Sequence, residues 1–143
     1  MDPGNPVVKL CVQGMQAEAE DRLDDALQLF TQAWQASTDD YEACIAAHFL
    51  ARQQDDPQET LRWNQEALQR AEAVGDERVS GFYPSLYLNL GFSYELLGDL
   101  EQANRCYELA AGRIGDLPDG QYTEVVKDGI ARGRRRVSEM SRS

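Results

Sequence analysis

Three observations predict an all-α chain of stacked helical hairpins. Small and aromatic residues recur in matched order, Gly14, Ala26, Phe30 and Ala33 in one stretch answering Gly91, Ala103, Tyr107 and Ala110 in another. Apolar residues fall three and four apart over long runs, the period of a helix with one buried face. The breaks between those runs carry capping and turn residues: Asp39-Asp40, Asp56-Pro57, Gly75-Asp76, Gly98-Asp99 and the Asp116 to Gly120 cluster.

The clearest stretch is Pro84 to Leu117. Leu90, Gly91 and Tyr94 precede the Gly98-Asp99 break, and Ala103, Tyr107 and Ala110 follow it. A small residue at 91 permits close approach of two antiparallel helices, and the two tyrosines fill the space around it. Order and spacing match a 34-residue helix-turn-helix signature, and the stretch resembles a tetratricopeptide repeat. The resemblance implies a right-handed α-α superhelix of three hairpins and a C-terminal helix, with binding of another protein chain as its business.

Taken in order, residues 1–6 hold two prolines and a glycine and read as a disordered lead-in. A weaker repeat covers 7–40, with Leu10, Gly14, Ala26, Phe30 and Ala33. Ala17 stands there where the family prefers an aromatic. The second repeat, 41–74, opens after Asp39-Asp40, and its second helix starts at Asp56-Pro57-Gln58-Glu59, a cap followed by a proline at the first helical position. It diverges most, with His48 in the small-residue slot and Asn64 for the second aromatic. Extra residues between Leu68 and Pro84 predict longer flanking helices, Gly75 ending one of them, and leave Pro84 either in a first turn or at a kink. The third repeat is 84–117. A capping helix over 118–138 puts Tyr122, Val126, Ile130 and Val137 on one face and covers the open end of the last pair. Gly129 and Gly133 weaken it by about 1 kcal/mol each relative to alanine. Residues 139–143 read as a loose tail.

At 143 residues the chain suits one domain with a real core. Its 14 basic and 25 acidic residues give a net charge of −11, which argues against nucleic acid or an anionic membrane as the main ligand. The charge is uneven. Residues 127–143 hold six basic side chains and two acidic ones, and the rest of the chain carries −15. No apolar run approaches the roughly 18 residues a membrane span needs, and the amino end lacks a basic region followed by an apolar one, so the expectation is a soluble, cytoplasmic protein. Cys11, Cys44 and Cys106 are odd in number and widely spaced, as reduced thiols are.

On the family's pattern the first helix of each pair lines a concave groove. Its positions fall on Val8, Cys11, Met15 and Glu18, then on Glu42, Ile45, Phe49 and Arg52, then on Ser85, Leu88, Asn89, Phe92 and Glu95. Met15, Phe49 and Phe92 form an apolar floor suited to an extended peptide or an amphipathic helix, with Arg52, Asn89, Glu42 and Glu95 setting its orientation. The alternative is a floor covered by the last helix or by a second copy of the protein in a homodimer. Tetratricopeptide domains that clamp the C-terminal carboxylate of heat-shock chaperones use lysines, asparagines and an arginine at groove positions. Here Cys11, Met15, Ala46, Ser85 and Asn89 stand there, and none supplies the cation.

Catalytic chemistry finds no support. His48, the single histidine, has Cys44 one turn away, which gives two ligands and no metal site, and no nucleophile and orienting acid surround it. No glycine-rich phosphate loop follows a strand, and nothing calls for a cofactor. Trp34 and Trp63 lie on second helices, where packing is the usual fate. The run Arg134-Arg135-Arg136-Val137-Ser138 fits a basophilic kinase site, a short nucleic-acid patch or a helix-end cation cluster equally. The expected function is a non-catalytic scaffold or adaptor that holds a protein or peptide in the groove. Its rivals are a peptide-sensing regulatory module acting with a DNA-binding or enzymatic partner, and a nucleic-acid-associated factor using the basic tail.

Overall fold

Residues 2–142 are described by the computed structural model, and every regular element among them is helical. Helix α1 (Pro6–Ala19) starts where Asn5 Oδ1 accepts the Val7 and Val8 N–H groups at 2.8 and 3.2 Å and Pro6 occupies the first helical position. The segment expected to be disordered is therefore ordered at Asn5 and helical at Pro6, because the cap has two partners. Met1, its outermost residue, lies outside the described residues. A turn closed by Asp21 at φ 61° leads to α2 (Leu23–Ala36). Helix α3 (Asp40–Ala51) is capped by Asp39, whose Oδ1 accepts the Glu42 N–H at 2.8 Å. In α4 (Pro57–Val74), Asp56 Oδ1 accepts the Gln58 N–H at 3.0 Å, and Gly75 at φ 65° ends the helix in the left-handed region.

Beyond Gly75 the extra residues form a 3-10 helix, Glu77–Phe82, capped by Asp76. Helix α5 (Tyr83–Leu96) follows with Pro84 in its first turn, where a missing N–H costs nothing. Of the helices flanking the insertion, α4 is lengthened to 18 residues, whereas α5 has 14, the length of α1. Helix α6 (Leu100–Gly112) begins after Gly98, at φ 82°, and the Asp99 cap; a short 3-10 turn over Ile114–Asp116 precedes α7 (Gln121–Ser141). The tail expected to be loose is helical as far as Ser141. Val137 is buried, and the turns beyond it close with the Arg142 N–H donating to the Glu139 carbonyl at 3.3 Å. Ser143 lies outside the described residues.

The chain divides into two compact units, Met1–Val74 and Gly75–Ser143. In the first, α1 packs on α2 and α3 on α4, and α3 also lies against both α1 and α2. Its centre is the fully buried Phe30 ring. A Cβ at Gly14 would collide with one side of that ring, and Phe49 stacks on it with centroids 5.1 Å apart and planes 10° from parallel. Ala17, Ala26, Ala33, Ala46 and Ala47 bring the helices close. In the second unit α5 packs on α6, and α7 lies against both. Tyr107 is its central ring. A Cβ at Gly91 would stand 2.7 Å from it, and one at Gly133 of α7 2.3 Å from it. Val126, Ile130 and Val137 complete that core.

Candidate functional site

The face of α5 expected to line a groove is the face against which α7 runs. Ser85 Oγ and Tyr122 Oη share a hydrogen bond, and Leu88 packs against Gly129, where a Cβ would stand 3.1 Å from Leu88 Cδ2. The Arg136 guanidinium lies 5.6 Å from the centre of the Phe92 ring. Residues 85, 88 and 92 thus meet 122, 129 and 136 in order, so α5 and α7 run side by side in the same direction. Glu95 closes this row. It accepts from Arg136 Nε at 2.7 Å, from Arg136 Nη2 at 3.2 Å and from the Tyr107 hydroxyl at 2.7 Å. Burial, then the bond to Glu95, pushes the Tyr107 phenol above its ordinary value, so it stays a donor at any physiological pH.

Along this seam apolar side chains remain open to solvent. Phe92 is 46% exposed and Leu96, one turn further on, 55%; on α7 Tyr122 is 57% and Val125 63% exposed. Val125 lies between Tyr122 and Gly129 at helical spacing, and Leu96 follows Phe92, so the exposed apolar side chains fall on both sides of Arg136 along the row. Asn89 is half-buried on the same helix.

The corresponding positions of the first unit are mostly interior, which corrects the expected floor. Val8, Cys11 and Ile45 are buried, and Phe49 is 6% exposed because the flat, wholly apolar Phe30 ring offers it a stacking partner. Met15 is half-buried. Glu18 pairs with Arg52 at 3.0 Å and also accepts from the Gln53 amide, while the Arg52 guanidinium covers the Phe49 ring at 5.4 Å. Glu42 is turned inward. It accepts from the Thr38 N–H at 2.9 Å, the Thr38 hydroxyl at 3.0 Å and the Asn5 amide at 2.7 Å. The Thr38 N–H, then the Asn5 amide, hold its carboxyl below the usual carboxylate range. Expected to orient a ligand, Glu42 instead joins the starts of α1 and α3.

Other candidate chemistry resolves into structure. Burial, then the Arg52 charge, pushes His48 down to about 4, and its ring stands 5.1 Å from Phe49. Burial raises the thiols of Cys11 and Cys44 to about 12, and that of Cys106 to about 11, which keeps them protonated and unreactive. No group of three or more His, Cys, Asp or Glu among the described residues could hold a metal ion. Trp34 and Trp63 are half-buried and meet edge to face at 5.0 Å, with Arg70 over Trp34 and Arg62 over Trp63. Beside Trp34 a polar depression of about 500 Å³ opens at the start of α3. Its two carboxylates are engaged already, Asp39 in the cap and Asp40 with Arg70 at 2.9 Å.

Four solved chains match this one. One is the crystal structure of the Sgt2 TPR domain from Aspergillus fumigatus, superposing with a TM-score of 0.59 at 23% identity over 97% of this chain and 84% of that one. The fold is tetratricopeptide-like. No family model matches the sequence, and no curated protein does. At that identity the likeness carries the arrangement of TPR helices and nothing of a partner. No helix among the described residues is long and apolar enough to cross a membrane.

The sequence reached the contribution of α7 only as the alternative of a floor covered by the last helix. Tyr122 and Val126 were legible as helix positions, but Val125, Gly129 and Arg136 gain their place in the site only because α7 lies along α5. The spacing of Gly133 from Arg136, equal to that of Phe49 from Arg52, was the available signal.

Proposed function

We propose that the protein is a non-catalytic, TPR-type binding scaffold that holds a peptide segment on the strip between α5 and α7. The observation that carries the reading is the exposure of Phe92, Leu96, Tyr122 and Val125 together. Large apolar side chains this open, gathered along one seam and rimmed by polar groups, are a recurrent mark of an interaction surface. The strip accepts a segment with two or three apolar anchors, while Arg136, held by Glu95 over Phe92, presents its remaining N–H groups to a backbone carbonyl or a carboxylate. The helices that carry the strip are fixed by the Tyr107 core, so little order has to be imposed on binding.

Selection from a random peptide library, repeated with a Phe92→Ser/Val125→Ser variant, tests this. Enriched peptides should share apolar anchors and lose binding at least about tenfold to the variant, with helicity kept by circular dichroism. A library that yields no peptide distinguishing the two proteins overturns the reading. Self-association that fades in the same variant would assign the strip to a second copy instead.

A further inference from the structure

Helix α7 stands to α5 and α6 as α3 stands to α1 and α2. The register can be fixed residue by residue. Phe49 and Gly133 each meet the central ring of their unit, and three residues later Arg52 and Arg136 each pair with a glutamate four residues beyond the matching glycine, Glu18 after Gly14 and Glu95 after Gly91. In that register Ala43, Cys44, Ala47, Leu50 and Ala51 of α3 correspond to Lys127, Asp128, Ala131, Arg134 and Arg135 of α7. The first five are buried and the second five exposed. The neighbours are otherwise equivalent, so the difference marks the surface that α4 covers on α3. On α7 nothing among the described residues covers it.

Apart from Asp128, which pairs with Arg132 at 3.0 Å, that surface is basic in an acidic molecule. Lys127, Arg134, Arg135 and Arg142 lie along one side of α7 over a length of about 22 Å. Lys127 has a loose, exposed contact with Glu124 at 3.5 Å; Arg134, Arg135 and Arg142 make no ion pair with a described residue. Ala131 sits among them as a flat spot, where Ala47 admits close approach on α3.

We infer that this outer face of α7 docks an acidic helix from a different protein, lying where α4 lies on α3. Charge complementarity selects the occupant: cations seven and eight residues apart fit a facing helix whose carboxylates recur three and four apart, and so also seven apart, along one face. Ala131 permits the 8–10 Å approach of packed helices. A nucleic acid is disfavoured, because the remaining −15 of the chain repels a polyanion extending past the stripe.

The test titrates the full chain into a fluorescently labelled, alanine-based helical peptide carrying glutamates three and four apart on one face, with anisotropy as readout. Expected is saturable binding that weakens at higher salt and falls at least about tenfold in Arg134→Glu/Arg135→Glu. Ala131→Leu, which leaves every charge in place, should weaken it too, because a bulky side chain blocks close packing. Both variants alter exposed positions, and circular dichroism checks that helicity is kept. No saturable binding, equal binding of a peptide with the same glutamates scattered around the helix, or an Ala131→Leu variant that binds like the parent overturns the inference. So does tighter binding of a single-stranded oligonucleotide, or self-association of the chain that is lost in the double reversal.

Discussion

The two units use one device and finish it differently. Each sets a glycine of its first helix against an aromatic ring of its second, Gly14 against Phe30 and Gly91 against Tyr107, and each pairs a glutamate one turn beyond the glycine with an arginine from the helix that follows. Against the same ring the first unit also places Phe49 and the second Gly133. A stack of two phenyl rings seals the first unit. Glycine lets α7 settle against Tyr107, whose hydroxyl reaches Glu95, and the aromatic of this row, Phe92, stays at the surface. The exchange of one large residue for none decides how each unit closes over its central ring.

Removing the rings should have the largest effect. Phe30→Ala and Tyr107→Ala should each cost about 3–5 kcal/mol in urea unfolding, since each empties the centre of its unit. A cost under about 1 kcal/mol for either would mean that the unit is not built around its ring. Next comes pH, which should separate the units because the single histidine lies in the first. His48 is neutral when folded down to about 4 and takes a proton near 6.5 when unfolded, so stability is level above 6.5 and falls as pH drops from there towards 4. The loss should reach at most about 3 kcal/mol and shrink in His48→Asn, compared from melts across that range. A slope unchanged in the variant assigns the acid sensitivity elsewhere.

Gly133→Ala should cost about 2 kcal/mol by forcing a methyl group into the Tyr107 ring, whereas Gly112→Ala, with open space around it, should be neutral or stabilising. Equal melting of the two would detach α7 from Tyr107. Smallest is the ion pair. Arg52→Ala should cost about 0.5 kcal/mol and Arg136→Ala about 1 kcal/mol, because Glu95 is 9% exposed against 15% for Glu18 and would be left with fewer partners. A reversed order would contradict the sheltered setting of Glu95.

The hairpins were legible because their close contacts are made within short spans. Gly14 and Phe30, like Gly91 and Tyr107, sit on consecutive helices, so their spacing alone brings them together, and Asp39 and Asp56 mark helix starts by local hydrogen bonding. The candidate site was legible only in part. Phe92 fell on the expected face, but Phe49 had the same helical position and was claimed by Phe30, a choice made by tertiary packing that periodicity does not record. Arg136 was readable as one of a cationic run; its partner Glu95 lies 41 positions away in the chain. The 3-10 helix over Glu77–Phe82 has no apolar period to announce it.

Asn5 ties the first turn of α1 to α3. Its carbonyl oxygen holds the first turn of α1 while its amide holds Glu42, whose other oxygen holds the turn before α3. Loss of the Asn5 side chain would therefore be felt in the second hairpin as well as the first.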